Sequence, residues 1–132
     1  GASGVQVGTR FVCSTECTVH QNYKEAIVKA KDRDAGATGP TTGHPVRCLK
    51  NKLTREYDKL EAKGATLEEM TALGMGGLKA AVVDGDVENG SVMAGQISGM
   101  IKDIKPCKDI IINMIEEAKK IELNLSTIFQ EV

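Results

Sequence analysis

The 132-residue chain has no tryptophan and only two Phe, two Tyr and two His. Without a basic stripe interleaved with aromatics it has no stacking platform for single-stranded nucleic acid. With 17 basic residues against 18 acidic ones it has no global field to draw in a duplex either. Nucleic acid is therefore excluded as a partner. No apolar run approaches the roughly 20 residues that span a bilayer, and the first residues lack the charged stretch and apolar core of a secretion signal. The expectation is a cytoplasmic protein that does not enter a membrane. The four cysteines, Cys13, Cys17, Cys48 and Cys107, have neither the paired spacing of zinc sites nor the density of a disulfide scaffold, and are expected as free thiols. His20 has no second ligand at a recognised spacing. Asp84, Asp86 and Glu88 lack the twelve-position pattern of a calcium loop, so no metal site is expected.

Glycine, in contrast, recurs in three stretches that can carry chemistry. The first is Gly4-Val5-Gln6-Val7-Gly8-Thr9-Arg10-Phe11. Val5 and Val7 alternate with Gln6 as in a short strand, and Gly8-Thr9 stops the pattern. A Gly-Thr pair at a strand end can offer bare backbone N–H groups and a hydroxyl to an anion. The second is Thr42-Gly43-His44-Pro45-Val46-Arg47, followed by Asn51-Lys52-Leu53-Thr54-Arg55. The third runs from Gly85 through Ser91-Val92-Met93-Ala94-Gly95-Gln96.

In this order the three stretches resemble the C-terminal part of the flavin-dependent enoyl-acyl carrier protein reductases of the second type, close relatives of the nitronate monooxygenases. The resemblance implies a parent (β/α)8 barrel with FMN at the C-terminal strand ends and a helical insertion beside it. It implies that Gln6, Val7, Gly8 and Thr9 hold the flavin phosphate, and that Ser91, Met93 and Gln96 lie at the substrate mouth. NADH or NADPH would be the reductant and an enoyl thioester on acyl carrier protein the substrate, in a homo-oligomer, a dimer. The family's catalytic histidine falls outside this chain, and His44 does not match it. The alternatives are a nitronate monooxygenase, which shares the phosphate motif, and a non-catalytic helical module that binds partners or self-associates.

The chain is read as residues 1–18, the last barrel strand and phosphate loop; 19–105, a helical cap returning to the active-site mouth; and 106–132, a C-terminal helix. One parallel strand cannot bury both its faces. The expectation is therefore a fragment, inactive in isolation, mainly α-helical with one short N-terminal strand and a possible second extended segment at 45–49. A helix is placed at 19–33 behind the capping box Thr18-x-x-Gln21, and 35–43 is read as loop. Leu53, Tyr57 and Leu60 recur at helical spacing up to Gly64, and Thr66-x-x-Glu69 caps a short helix to Leu73. Leu78, Ala81 and Val82 suggest another. Ser91 is placed to cap a helix carrying Val92, Met93, Gln96, Ile97 and Met100. Pro106 opens a long helix with Ile111, Met114, Ile115, Ala118, Ile121 and Leu125 as its apolar stripe. His44 and Arg47 are the most tempting catalytic pair, set against a polar docking loop.

Overall fold

The computed structural model describes the backbone of residues 1–130 and the side chains of these except 126 and 128–130. Residues 131–132, read as the end of the last helix, lie outside the described residues. Helix α1 (Thr9–Val12) is followed by α2 (Gln21–Lys29), strand β1 (Ala35–Thr38), a 3-10 turn at Pro40–Thr42 and strand β2 (Val46–Leu49). Next come α3 (Lys52–Ala62), α4 (Leu67–Gly74), α5 (Gly77–Val82), a 3-10 segment at Gln96–Met100 and α6 (Cys107–Gln130).

Local signals set most helix ends. Thr66 and Glu69 exchange the two bonds of a capping box at the start of α4, and Gly64, at φ +72°, follows the end of α3. Helix α2 is shorter than expected and is capped by His20, not Thr18: His20 Nδ1 accepts from the Asn22 N–H. The His20 N–H is held by the Val82 carbonyl at 2.8 Å, so the chain before it stays outside the helix. At the other end Ala30 turns to ψ 147°, and Lys102 Nζ takes its carbonyl at 2.8 Å.

Two expectations fail for the same reason, that a strand is defined by its partner. Residues 4–8 form no strand, because no neighbouring segment supplies the ladder bonds, and Val5 is 85% exposed. Residues 35–43, read as loop, contain β1, because β2 lies antiparallel beside them in the register Ala35↔Leu49 to Thr38↔Val46. The extended reading of 45–49 holds.

The helix expected after Ser91 is absent. Residues 91–95 run extended along β2 instead: the Leu49 N–H donates to the Val92 carbonyl at 2.8 Å and the Ala94 N–H to the Arg47 carbonyl at 3.1 Å. Met93 bridges Cys48, and the Tyr23 hydroxyl donates to the Met93 carbonyl at 2.8 Å. The strip is thereby fixed between β2 and α2, on a core that includes Tyr23, Ile27, Leu49, Ala81, Val92 and Ile101. Of these, Ile27, Leu49, Val92 and Ile101 each contribute about 1.5–3 kcal/mol when buried in full.

The apolar stripe of α6 is also not where the pattern suggests burial. Ile110 is the buried residue of this helix among the described ones, while Ile111, Ile115, Ile121 and Leu125 are about half exposed or more. Helix α6 begins at Cys107, so Pro106 stands one residue before the first helical position, and its carbonyl accepts from the Ile110 N–H.

Burial pushes the Tyr23 phenol up to about 12 from its usual 10. Below pH 10 the phenol is protonated whether the chain is folded or not. Between 10 and 12 the unfolded chain releases its proton while the folded one retains it, so stability falls as pH rises through that window. Between pH 9 and 11.5 the wild type is expected to lose roughly 2 kcal/mol more than Tyr23→Phe, measured by urea unfolding of both at each pH. Equal losses would show that the phenol is not protected.

Candidate functional site

All four residues expected to hold a phosphate, Gln6, Val7, Gly8 and Thr9, line one cleft of about 750 Å³. Its opposite wall is Gly95, Ile97 and Met100, and its end is closed by Ile110 and Met114 of α6. The two walls, distant in sequence, are joined by one hydrogen bond, from the Gly95 N–H to Thr9 Oγ1 at 2.9 Å. Because Thr9 Oγ1 accepts there, its own proton remains available to the cleft.

Gly8 ends the loop with φ −83° and is exposed, and a Cβ built on it meets nothing within 4 Å. Its backbone would accept a side chain, so what the missing one leaves is open approach to the N–H groups behind it. The N–H groups of Thr9 and Arg10, at the start of α1, donate to no group among the described residues. Free N–H groups of this kind suit an anion.

Arg10, Asp103 and Lys105 form a network on the floor of the cleft that sequence reasoning missed. The Arg10 guanidinium donates to both the carbonyl, at 2.9 Å, and the carboxylate of Asp103. Lys105 Nζ pairs with the other carboxylate oxygen at 2.8 Å. Lys105, then desolvation in the opposite sense, then Arg10 act on the Asp103 carboxyl, with the net effect of holding it below the usual carboxylate range. No spacing signal could have found this network, since Arg10 and Asp103 stand 93 residues apart.

The three residues expected at a substrate mouth do not converge. Ser91 and Met93 line a second cavity of about 350 Å³, on the side of β1, α3 and α4. Gln96 is exposed at the start of its 3-10 segment and lines neither cavity. His44 sits at the rim of the second cavity, whereas Arg47 lines neither, so the pair does not form a catalytic unit. Gly95 borders the cleft and Met93 the second cavity, so the strip separates the two spaces by two residues.

All four cysteines are free thiols. Burial pushes the thiols of Cys13 and Cys48 up, and the Ser91 hydroxyl offsets part of that at Cys48. Both therefore stay protonated and unreactive near neutral pH. Among the described residues no group of three or more His, Cys, Asp or Glu could hold a metal ion, and no helix is long and apolar enough to cross a membrane.

Comparison with known proteins adds a second line of observation. A family model described as nitronate monooxygenase matches residues 1–117. The structure of FabK from Thermotoga maritima matches with a TM-score of 0.89 and 44% identity, covering 96% of this chain and 40% of that one. A probable nitronate monooxygenase from Staphylococcus saprophyticus is 43% identical over 61 residues, which are 44% of this chain and 17% of the relative. A "(3aS,4S,5R,7aS)-5-hydroxy-7a-methyl-1-oxo-octahydro-1H-indene-4-carboxyl-CoA dehydrogenase" from Mycobacterium tuberculosis is 25% identical, covering 89% of this chain and 44% of the relative. The chain thus spans less than half the length of each of these proteins.

Proposed function

Because the chain belongs to the nitronate monooxygenase family, we propose that it forms the phosphate-binding and substrate-facing part of an FMN-dependent enoyl-acyl carrier protein reductase using NADH or NADPH. The observation that carries this reading is the extent of the likeness to FabK: 44% identity sustained over 96% of the chain. A similar identity to a probable nitronate monooxygenase covers 44% of it. The mycobacterial relative is named as a dehydrogenase of a carboxyl-CoA, a coenzyme A thioester.

The cleft residues fit a flavin phosphate. Gly8 leaves room above the loop, the Thr9 and Arg10 N–H groups are uncommitted, and the Thr9 hydroxyl has a proton to donate. A bound flavin supplies hydride acceptance and delivery. This chain's own residues bind and orient. Gly8, Thr9 and the Arg10 N–H hold the phosphate, and the Arg10–Asp103–Lys105 network keeps α1 against the segment before α6. The strip from Val92 to Gly95, held by Tyr23 and β2, presents a fixed edge to the substrate. Apolar Ile97 and Met100 line the same cleft.

The second reading, nitronate oxidation, is favoured by the description of the matching family. One experiment separates the two. In a chimera in which these 132 residues replace the matching segment of the Thermotoga protein, a reduced nicotinamide is expected to be oxidised when an enoyl thioester is supplied. Turnover of nitronates with oxygen, and none of the thioester, would overturn the reductase reading.

A further inference from the structure

The second cavity differs chemically from the cleft. No Lys, Arg, Asp or Glu lines it, and its titratable groups are the rim imidazole of His44 and the Tyr57 phenol. Buried Met70 gives it an apolar floor, and the more exposed Val46 and Leu78 form apolar sides. Of its hydroxyls, Thr38 and Thr42 are committed to the carbonyls of Val46 and Gly39. Those of Tyr57 and Thr71 bond to nothing among the described residues, and Ser91 meets the thiol of Cys48.

Tyr57 is also set in place by its surroundings. Gly74, at the end of α4, lies so close to the phenol oxygen that any Cβ there would collide with it. The ring is thereby seated in a notch with its hydroxyl turned to the cavity, where a partner would satisfy it. At about 350 Å³ the space lies at the lower end of ligand pockets. Uncharged, with free hydroxyls over an apolar floor, it matches an uncharged chain that alternates amides with branched alkyl carbon.

A thioester substrate of either acyl carrier protein or coenzyme A brings such a chain. We propose that this cavity holds the pantetheine arm of the substrate, with Tyr57, Thr71 and Ser91 meeting its amide and hydroxyl groups and Met70 and Leu78 its geminal methyls. The arm runs along the Met93–Gly95 strip, so the thioester it carries reaches the cleft while the arm stays out of it. A purely apolar acyl tail would leave the hydroxyls of Tyr57 and Thr71 unmet. The inference rests on the thioester reading of the proposed function.

The test is a titration of the isotope-labelled chain with pantetheine, followed by amide shifts, alongside a Tyr57→Phe/Thr71→Val variant. Saturable shifts around Tyr57, Thr71, Gly74 and Ser91, weakened about tenfold in the variant, are expected. Shifts centred on Gly8 and Thr9, or none at millimolar pantetheine, overturn the inference. In the chimera the same variant should raise KM for an enoyl-coenzyme A about tenfold, with kcat and the KM for the matching N-acetylcysteamine thioester, too short to fill the cavity, unchanged. A changed preference for acyl length, with no effect on KM for the arm, places the tail there and overturns it too. If the chimera reduces no thioester while pantetheine still binds at Tyr57, the reductase reading falls and the site stands. If reduction proceeds and pantetheine binds elsewhere, the reverse holds.

Discussion

Asn51→Ala is expected to destabilise the chain by about 3 kcal/mol, a large part of the stability of a domain this size. Asn51 is 6% exposed and caps α3: its Oδ1 accepts from the Thr54 N–H at 3.0 Å, and the Asn51 N–H donates back to Thr54 Oγ1 at 2.9 Å. Its amide nitrogen also donates to the carbonyls of Val87 and Gly90, at 2.8 and 2.7 Å. Alanine leaves the cap N–H and two carbonyls without partners. Asn51→Asp is the sharper comparison, because aspartate is a good cap in isolation. Here it would face two carbonyls with a charge and no proton, and should be no better than alanine at neutral pH. Asn51→Ser, which keeps the cap but drops both carbonyls, should recover about 1 kcal/mol. Urea unfolding of the three variants checks the order. A loss below about 1 kcal/mol for alanine would mean that the amide bonds contribute little.

Gly8→Val is expected to separate stability from cofactor binding. Its φ of −83° is open to any residue and a Cβ there meets nothing. The fold should therefore change by no more than about 0.5 kcal/mol. In the chimera the same valine would cover the Thr9 and Arg10 N–H groups. Losing two bonds to a charged phosphate costs about 3 kcal/mol, so flavin affinity should drop about 100-fold or more. Flavin fluorescence quenching and thermal unfolding measure the two quantities on one protein. Unchanged quenching would remove Gly8 from the cofactor site, and a parallel fall in stability would make the glycine structural.

The fold was legible in the sequence where one local interaction decides. Thr66 and Glu69 could be paired on paper because a capping box spans four residues and needs no tertiary partner. Asn51 and Thr54 form the same box with an unusual second member, so spacing predicts the helix but not its cap. The segment after Ser91 looks helical in sequence because Val92, Met93, Gln96 and Met100 do fall at helical spacing. Hydrogen bonds to β2 and Tyr23, which spacing cannot register, hold it extended instead. In α6 the periodicity marks a stripe through Ile111, Ile115, Ile121 and Leu125, yet these are about half exposed or more, and the inward residue is Ile110, which lies outside that stripe. The candidate site divides in the same way. Gly8-Thr9 stands out as a candidate because the chemistry it offers is local. The Arg10–Asp103–Lys105 floor and the grouping of Tyr57, Thr71 and Ser91 exist only once distant segments meet.

Thr9 reaches across 86 residues to Gly95, and Arg10 across 93 to Asp103. The caps of α3 and α4, by contrast, close over three. Closing the long loops must come late in folding, after the chain has given up most of its freedom, because non-local contacts repay their entropy only when much else is in place. Helical signal should therefore return during refolding well before the cleft has two walls. For an interval the chain is ordered while the loop at Gly8 and Thr9 still faces open solvent, and the Gly95 N–H that completes the cleft is the last of its contacts to arrive.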